Sequence, residues 1–219
     1  MTEEQALAEG KTCLFTGEYY GNFEEAMELA KNHGGGTITL IDDTVVSKNG
    51  KVPVLCFNSN VTVASKKGGP NRRLYRGETD RQEMLHVTDG MLRFFNVIID
   101  GACEGGARRA AICVSDLGAV ELRSSIICNN HSDNAENAEN QGATAVCCVG
   151  PRASIRFDDR CRIENCVGTG TAVSAIVASG GTVTNSGVRF EGNVSEADTN
   201  PDYVDLTGDT KVLGALLGV

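Results

Sequence analysis

Two Arg-x-Glu triplets, Arg162 with Glu164 and Arg189 with Glu191, are the residues best placed to do chemistry. On a β-strand, alternate side chains share a face, so each triplet presents a guanidinium and a carboxylate side by side. On neighbouring strands about 4.8 Å apart, Glu164 and Glu191 would approach the roughly 5 Å separation of a retaining glycosidase pair. Two such carboxylates would also suit a hard cation such as calcium. An alternating surface charge ladder accounts for the same four residues, because solvated ion pairs are common on protein surfaces. Arg162, Glu164, Arg189 and Glu191 are therefore read as an exposed binding ladder. No catalytic residue, resident metal or cofactor is assigned.

Other chemistry-bearing residues read as structural. Asp100 closes an apolar stretch before Gly101 and is expected to end a strand. His33 falls in the last turn of a helix, where positive charge is favourable. His86 stands alone in a strand, and His131 opens a polar segment. These histidines assemble neither a Ser/His/Asp nor a Cys/His nucleophile set. Gly34, Gly35 and Gly36 follow a helix rather than opening one, so they do not form a phosphate loop. The nine cysteines (13, 56, 103, 113, 128, 147, 148, 161 and 166) include no C-x-x-C pair, which removes the usual zinc and redox signatures. Several fall at expected core positions and read as buried free thiols, the alternative being a few disulfides within the solenoid. Cys147 and Cys148 point to opposite faces, predicting one in the core and the other exposed to oxidation.

The elements that position these residues are short strands. Aromatic residues make up 5% of the chain and Trp is absent, so a core must be built from Val, Ile, Leu and Ala. The 26 glycines against 4 prolines suit many tight turns between strands. One helix is expected over 22–33, with Asn22 as cap, Glu25 at its third position, and Phe23, Ala26, Met27 and Ala30 on one face. Beyond it the chain aligns with itself over 89–101, 117–130, 152–166 and 180–193. Leu92, Val120, Ile155 and Val183 form one inward column, recurring after 28, 35 and 28 residues. Val97, Ser125, Cys161 and Val188 form a second, and Ile99, Ile127, Ile163 and Phe190 a third. Arg93, Glu121, Arg156 and Thr184 form one outward column, and Asp100, Cys128, Glu164 and Glu191 another. A third apolar run precedes each segment, at 84–87, 111–114, 145–149 and 175–178. The longer spacing is explained by the polar segment 131–142, expected to project as a loop.

A repeat of this size is the mark of a solenoid, in which one coil cannot bury its apolar face alone. Three strands per coil define an all-β, right-handed, single-stranded parallel β-helix with an N-terminal capping helix. One domain is expected over 1–219: an N-terminal strand and capping helix (1–36), β-helix coils (37–193), and a closing strand or cap (194–219).

The order of elements carries a resemblance. A short strand at 12–16 leads into a helix and strand over 19–43. A first coil at 60–77 ends near arginine, a later one runs over 84–101, and later coils end in Asn129-Asn130 and Gly192-Asn193. This resembles the pectin-lyase-like parallel β-helix domains of large bacterial adhesin-type surface proteins. The resemblance implies a secreted or cell-surface scaffold that is part of a longer chain. Enzymes share that fold: pectate lyases hold calcium with clustered acids and use an Arg base, and polygalacturonases use clustered Asp. Asp100 is the nearest counterpart here.

The net charge of −9 and pI near 4.9 argue against non-specific nucleic-acid binding, which needs a basic footprint. No apolar run approaches a membrane span, and the first residues lack a signal-peptide pattern. The expected function is a non-enzymatic module for adhesion or carbohydrate binding, with a glycan or another host or cell-surface ligand as partner. The alternatives are a polysaccharide lyase or glycosidase, and a structural spacer. An open last coil would also let two copies stack as a homodimer, by end or by face.

Overall fold

The computed structural model describes residues 1–46, 54–55, 59–77, 83–101, 109–132, 143–169, 174–195, 204–207 and 211–213. It is a parallel β-solenoid. Sheet A contains Gly35–Leu40, Asn60–Ser65, Met91–Phe95, Ala119–Arg123, Ser154–Phe157, Thr182–Asn185 and Lys211–Leu213, in that spatial order and all parallel. Sheet B stacks Thr44–Val45, Arg72–Tyr75, Val97–Asp100, Ile126–Cys128, Arg162–Glu164 and Arg189–Glu191. Sheet C stacks Val54–Leu55, Leu85–Val87, Ile112–Ser115, Ala143–Val149, Ser174–Ser179 and Val204–Thr207.

The register fulfils the column alignment. Val120 pairs with Leu92 on one side and Ile155 on the other, and Ile155 pairs with Val183. Ile99, Ile127, Ile163 and Phe190 are likewise consecutive partners. Val97, Ser125, Cys161 and Val188 are all buried. Ser125 is accommodated there because its hydroxyl donates to the Arg123 carbonyl (2.9 Å) and accepts from the Val97 amide (3.3 Å), as a buried polar group requires. One continuous apolar core runs from Cys13 to Val188.

Chain reversals between sheets use the left-handed backbone region. Asn96 and Ser124 adopt φ of 56° and 49° between sheets A and B, and Asn129 and Asn165 adopt 54° and 55° after sheet B. Asn tolerates this region better than most non-glycine residues. Asp158, from the next coil, supports the Ser124 bend by accepting that residue's amide at 3.0 Å. Burial would raise the Asp158 carboxyl, but the Ser124 amide, the Cys161 thiol and Arg160 outweigh it and hold it below the usual carboxylate range.

The helix Phe23–Asn32 has the expected cap, Asn22 Oδ1 accepting the Glu25 amide at 2.9 Å. Its buried face of Phe23, Ala26, Met27 and Ala30 packs on the first strands of sheet A. Gly35 opens the first parallel strand at φ +133°, where a Cβ would lie 2.2 Å from the Asn60 carbonyl oxygen. The three glycines thus end a helix and allow close strand contact.

Two expectations are corrected. The N-terminal segment holds a second helix, Glu3–Ala8, with a reciprocal capping box between Thr2 and Gln5. Its strand Cys13–Phe15 is part of a hairpin with Glu18–Tyr20 that runs antiparallel to sheet A. The segment 131–142 does not leave the solenoid at its first residue. His131–Ser132 pairs with Val167–Gly168, which pairs with Val194–Ser195, forming a small fourth sheet at the corner. Residues 133–142 lie outside the described residues. The tail, expected as a last partial coil or a capping strand, contributes Val204–Thr207 to sheet C and Lys211–Leu213 to sheet A.

Candidate functional site

The outer face of sheet A carries the most concentrated charge. Thr62, Arg93, Glu121, Arg156 and Thr184 occupy consecutive in-register positions. Glu121, with its side chain 12% exposed, is the centre. Its Oε1 accepts from Arg123 Nε at 2.9 Å and Nη2 at 2.7 Å. Its Oε2 lies 3.3 Å from Arg93 Nε, and Arg156 Nε lies 4.0 Å from Oε1. Arg123 stacks over its ladder neighbour Phe95, 5.3 Å from the ring centroid, within cation–π range. Three guanidiniums therefore surround one carboxylate. Such partly exposed pairs add little stability, so their consequence is a local excess of positive charge.

On sheet B the structure brings the four expected residues together. Arg162 pairs in register with Arg189, and Glu164 with Glu191. Arg162 Nη1 lies 3.5 Å from Glu164 Oε2. The rest of that outward column is not solvated as expected. Asp100 and Cys128 point outward by register, yet they are 2% and 4% exposed. Arg73, one coil back, forms an ion pair with Asp100, and Asn129 Nδ2 donates to it at 3.3 Å. Long side chains from adjacent coils can cover a short one at an outward position. Asp100 is thus a strand-end residue engaged by structural contacts.

The histidines separate. His33 is the C-cap of its helix and meets the Phe15 ring edge-on at 5.9 Å. His131 Nε2 lies 3.3 Å from Thr169 Oγ1. His86, expected to stand alone, does not. Its ladder neighbours on the outer face of sheet C are Cys113 and then Cys147. The neighbouring Cys113 thiol raises its basicity, and its Nε2 lies 3.0 Å from Ser115 Oγ. The signal was in the apolar runs themselves, since aligning 84–87, 111–114 and 145–149 puts these three residues in one column.

Cys147 was one of a pair expected to divide between core and solvent, yet both Cys147 and Cys148 are 0% exposed. The pleat alternates as anticipated. Cys148 joins the main core, while Cys147 joins a second apolar cluster with Ala110, Cys113, Ala143 and Val177. Sheet C is buried on both faces here. All seven described cysteines are free and buried; Cys56 and Cys103 lie outside the described residues. Burial pushes the thiols of Cys13, Cys148, Cys161 and Cys166 up to about 12 and that of Cys128 to about 11. These seven thiols are expected to resist the bulky reagent dithionitrobenzoate at pH 8 in the native protein and to react once guanidinium unfolds it. Site-resolved labelling by mass spectrometry checks this, and prompt native labelling of Cys13 or Cys166 would contradict it.

Among the described residues no group of three or more His, Cys, Asp or Glu side chains is arranged to hold a metal ion. No helix among them is long and apolar enough to cross a membrane. The chain matches no family model, no curated protein and no solved structure.

Proposed function

We propose that this β-solenoid is a non-enzymatic binding module of a secreted or cell-surface protein, and that its ligand is an acidic carbohydrate. The observation that carries the reading is the Arg93–Arg123–Arg156 cluster around the single carboxylate of Glu121. Guanidinium forks recognise carboxylate and sulfate groups in two-point fashion. Coils repeat about every 4.8 Å, so Arg93 and Arg156, two coils apart, present donors at a spacing of about 10 Å along the solenoid axis. That arrangement suits a linear polymer laid along the axis rather than a single small molecule in a pocket. The net charge of −9 opposes an anion at long range. At physiological salt, however, the screening length is about 8 Å, so the arginines in contact outweigh distant acids. The ladder of Arg162, Glu164, Arg189 and Glu191 on sheet B gives a second polar stripe for sugar hydroxyls.

The test is titration of the protein with polygalacturonate, a sulfated glycan and neutral dextran. Both acidic polymers are expected to bind and dextran not. Arg93→Gln with Arg156→Gln should weaken binding by about tenfold or more while leaving the melting midpoint nearly unchanged. Binding that is indifferent to that double variant, or no binding to either acidic polymer, would remove the proposal. Release of reducing ends or unsaturated products, lost in Glu164→Ala or Glu191→Ala, would replace it with a carbohydrate-active enzyme.

A further inference from the structure

We infer that Cys113 and Cys147 are a built disulfide site, oxidised by hydrogen peroxide and closing a covalent staple across two coils. The two residues are in-register partners on adjacent parallel strands. Neighbouring strands lie about 4.8 Å apart, inside the roughly 4.4–6.8 Å Cα separation that a disulfide spans. Their side chains point to the same outer face of sheet C and pack in the same apolar cluster. Both therefore meet without a change in backbone register.

The third member is His86, on the other side of Cys113 in the same ladder, its basicity raised by that neighbouring thiol. Glu83 and Asp116 lie near enough to favour its protonated form, and Ser115 contacts Nε2. His86 can thus accept the Cys113 proton. Cys113 is 4% exposed and Cys147 0%, so a small oxidant reaches Cys113 first. The Cys113 sulfur attacks one peroxide oxygen and the O–O bond breaks. The departing hydroxide takes the proton held by His86 and leaves as water, giving a sulfenic acid. Cys147 sulfur then attacks Cys113 sulfur, and the S–O bond breaks. The hydroxyl leaves as a second water with the Cys147 proton. Two thiols lose two electrons, and one peroxide becomes two waters.

The Cys147 thiol and burial hold Cys113 protonated at rest. The reaction is therefore slow, a lock set by sustained oxidising conditions rather than a rapid sensor. What it locks is definite. The closed loop runs from 113 to 147 and contains the polar insertion 131–142. The insertion-bearing coil would be tied to the coil before it.

The test treats the reduced wild-type protein with hydrogen peroxide at neutral pH. The expected product has lost two hydrogens, and tryptic digestion without reductant joins peptides 110–123 and 124–152. Fragmentation should place the bond on Cys147 rather than Cys128 or Cys148. Its melting midpoint should rise by about 5 °C or more and return on adding dithiothreitol. Cys113→Ser and Cys147→Ser should each abolish the cross-link. His86→Gln should slow it about tenfold or more with the same product. Sulfinic or sulfonic acids without the link, bonds between other cysteines only, or unmodified thiols in native protein whose unfolded form oxidises readily would each overturn the site. An unchanged rate in His86→Gln would overturn the proton-acceptor role, and an unchanged midpoint would overturn the lock. The wild-type peptide map decides the main point even where a serine variant fails to fold.

Discussion

Ile155→Asp is expected to leave little folded protein, whereas Arg156→Ser, one residue further along the same strand, should alter the unfolding midpoint hardly at all. Ile155 is 1% exposed and lies between Val120 and Val183 in the first inward column. An aspartate there would be surrounded by aliphatic side chains from two coils. Burying an unpaired carboxylate costs on the order of 5 kcal/mol, or forces the group to take up a proton. That is a large part of the roughly 5–15 kcal/mol that holds a typical domain together. Ile155→Val removes one methylene and should cost only about 0.5–1.5 kcal/mol. Arg156 is 61% exposed at its side chain and its ion pair with Glu121 spans 4.0 Å, so its loss falls within the small range of surface changes. Urea unfolding of the three variants, followed by circular dichroism, checks the order. Coils of a solenoid lean on their nearest neighbours, so the aspartate should also expose the coils on either side to protease. A folded Ile155→Asp with a wild-type midpoint would mean that these side chains do not share a dry interior.

Most of that architecture was legible because a solenoid repeats its core. Leu92, Val120, Ile155 and Val183 share a chemical type because each is the next one's ladder partner. The helix beginning at Phe23 was legible from its cap and its apolar face together. The helix Glu3–Ala8 was not, although Thr2-Glu3-Glu4-Gln5 carries a capping-box pattern. Six residues give a single turn and a half, too few to display an apolar stripe.

The misread outward positions share one cause. Alternation tells which way a side chain points, but not whether that face is wet. Asp100 and Cys128 point outward and are covered, Asp100 by its contacts with Arg73 and Asn129. Cys147 points outward into a second apolar cluster. The sheet B ladder of Arg162, Glu164, Arg189 and Glu191 was legible as a column. The sheet A cluster was legible only in part. Arg93, Glu121 and Arg156 were recognised as an outward column, but Arg123, two residues beyond Glu121 on its own strand, supplies the two shortest contacts to it.

Asn130→Ala is expected to be the most damaging polar substitution among the described residues, at about 2–4 kcal/mol. Asn130 ends its coil and is 0% exposed. Its Oδ1 accepts from Arg76 Nη2 at 2.7 Å, and its Nδ2 donates to the Arg109 carbonyl at 3.0 Å and the Thr144 carbonyl at 2.5 Å. One side chain thus joins segments of successive coils, and alanine deletes all three bonds inside a dry corner. Asn193, its counterpart further along the stack, accepts from the Cys166 amide at 2.9 Å and donates to the Ile163 carbonyl at 3.0 Å, so Asn193→Ala should be destabilising as well. Asn130→Asp separates the contributions. Its carboxylate would attract Arg76 yet place an oxygen against two carbonyls that require a donor. Asn130→Asp should therefore also be destabilising at neutral pH, and part of the loss should return as acidification restores one O–H donor. The bond to Thr144 has a further consequence, because Asn130 and Thr144 flank the insertion 131–142. Cutting that tie should speed proteolysis within the insertion well before the solenoid unfolds. Equal cleavage in Asn130→Ala and wild type would show that the base of the insertion is held by something other than this asparagine.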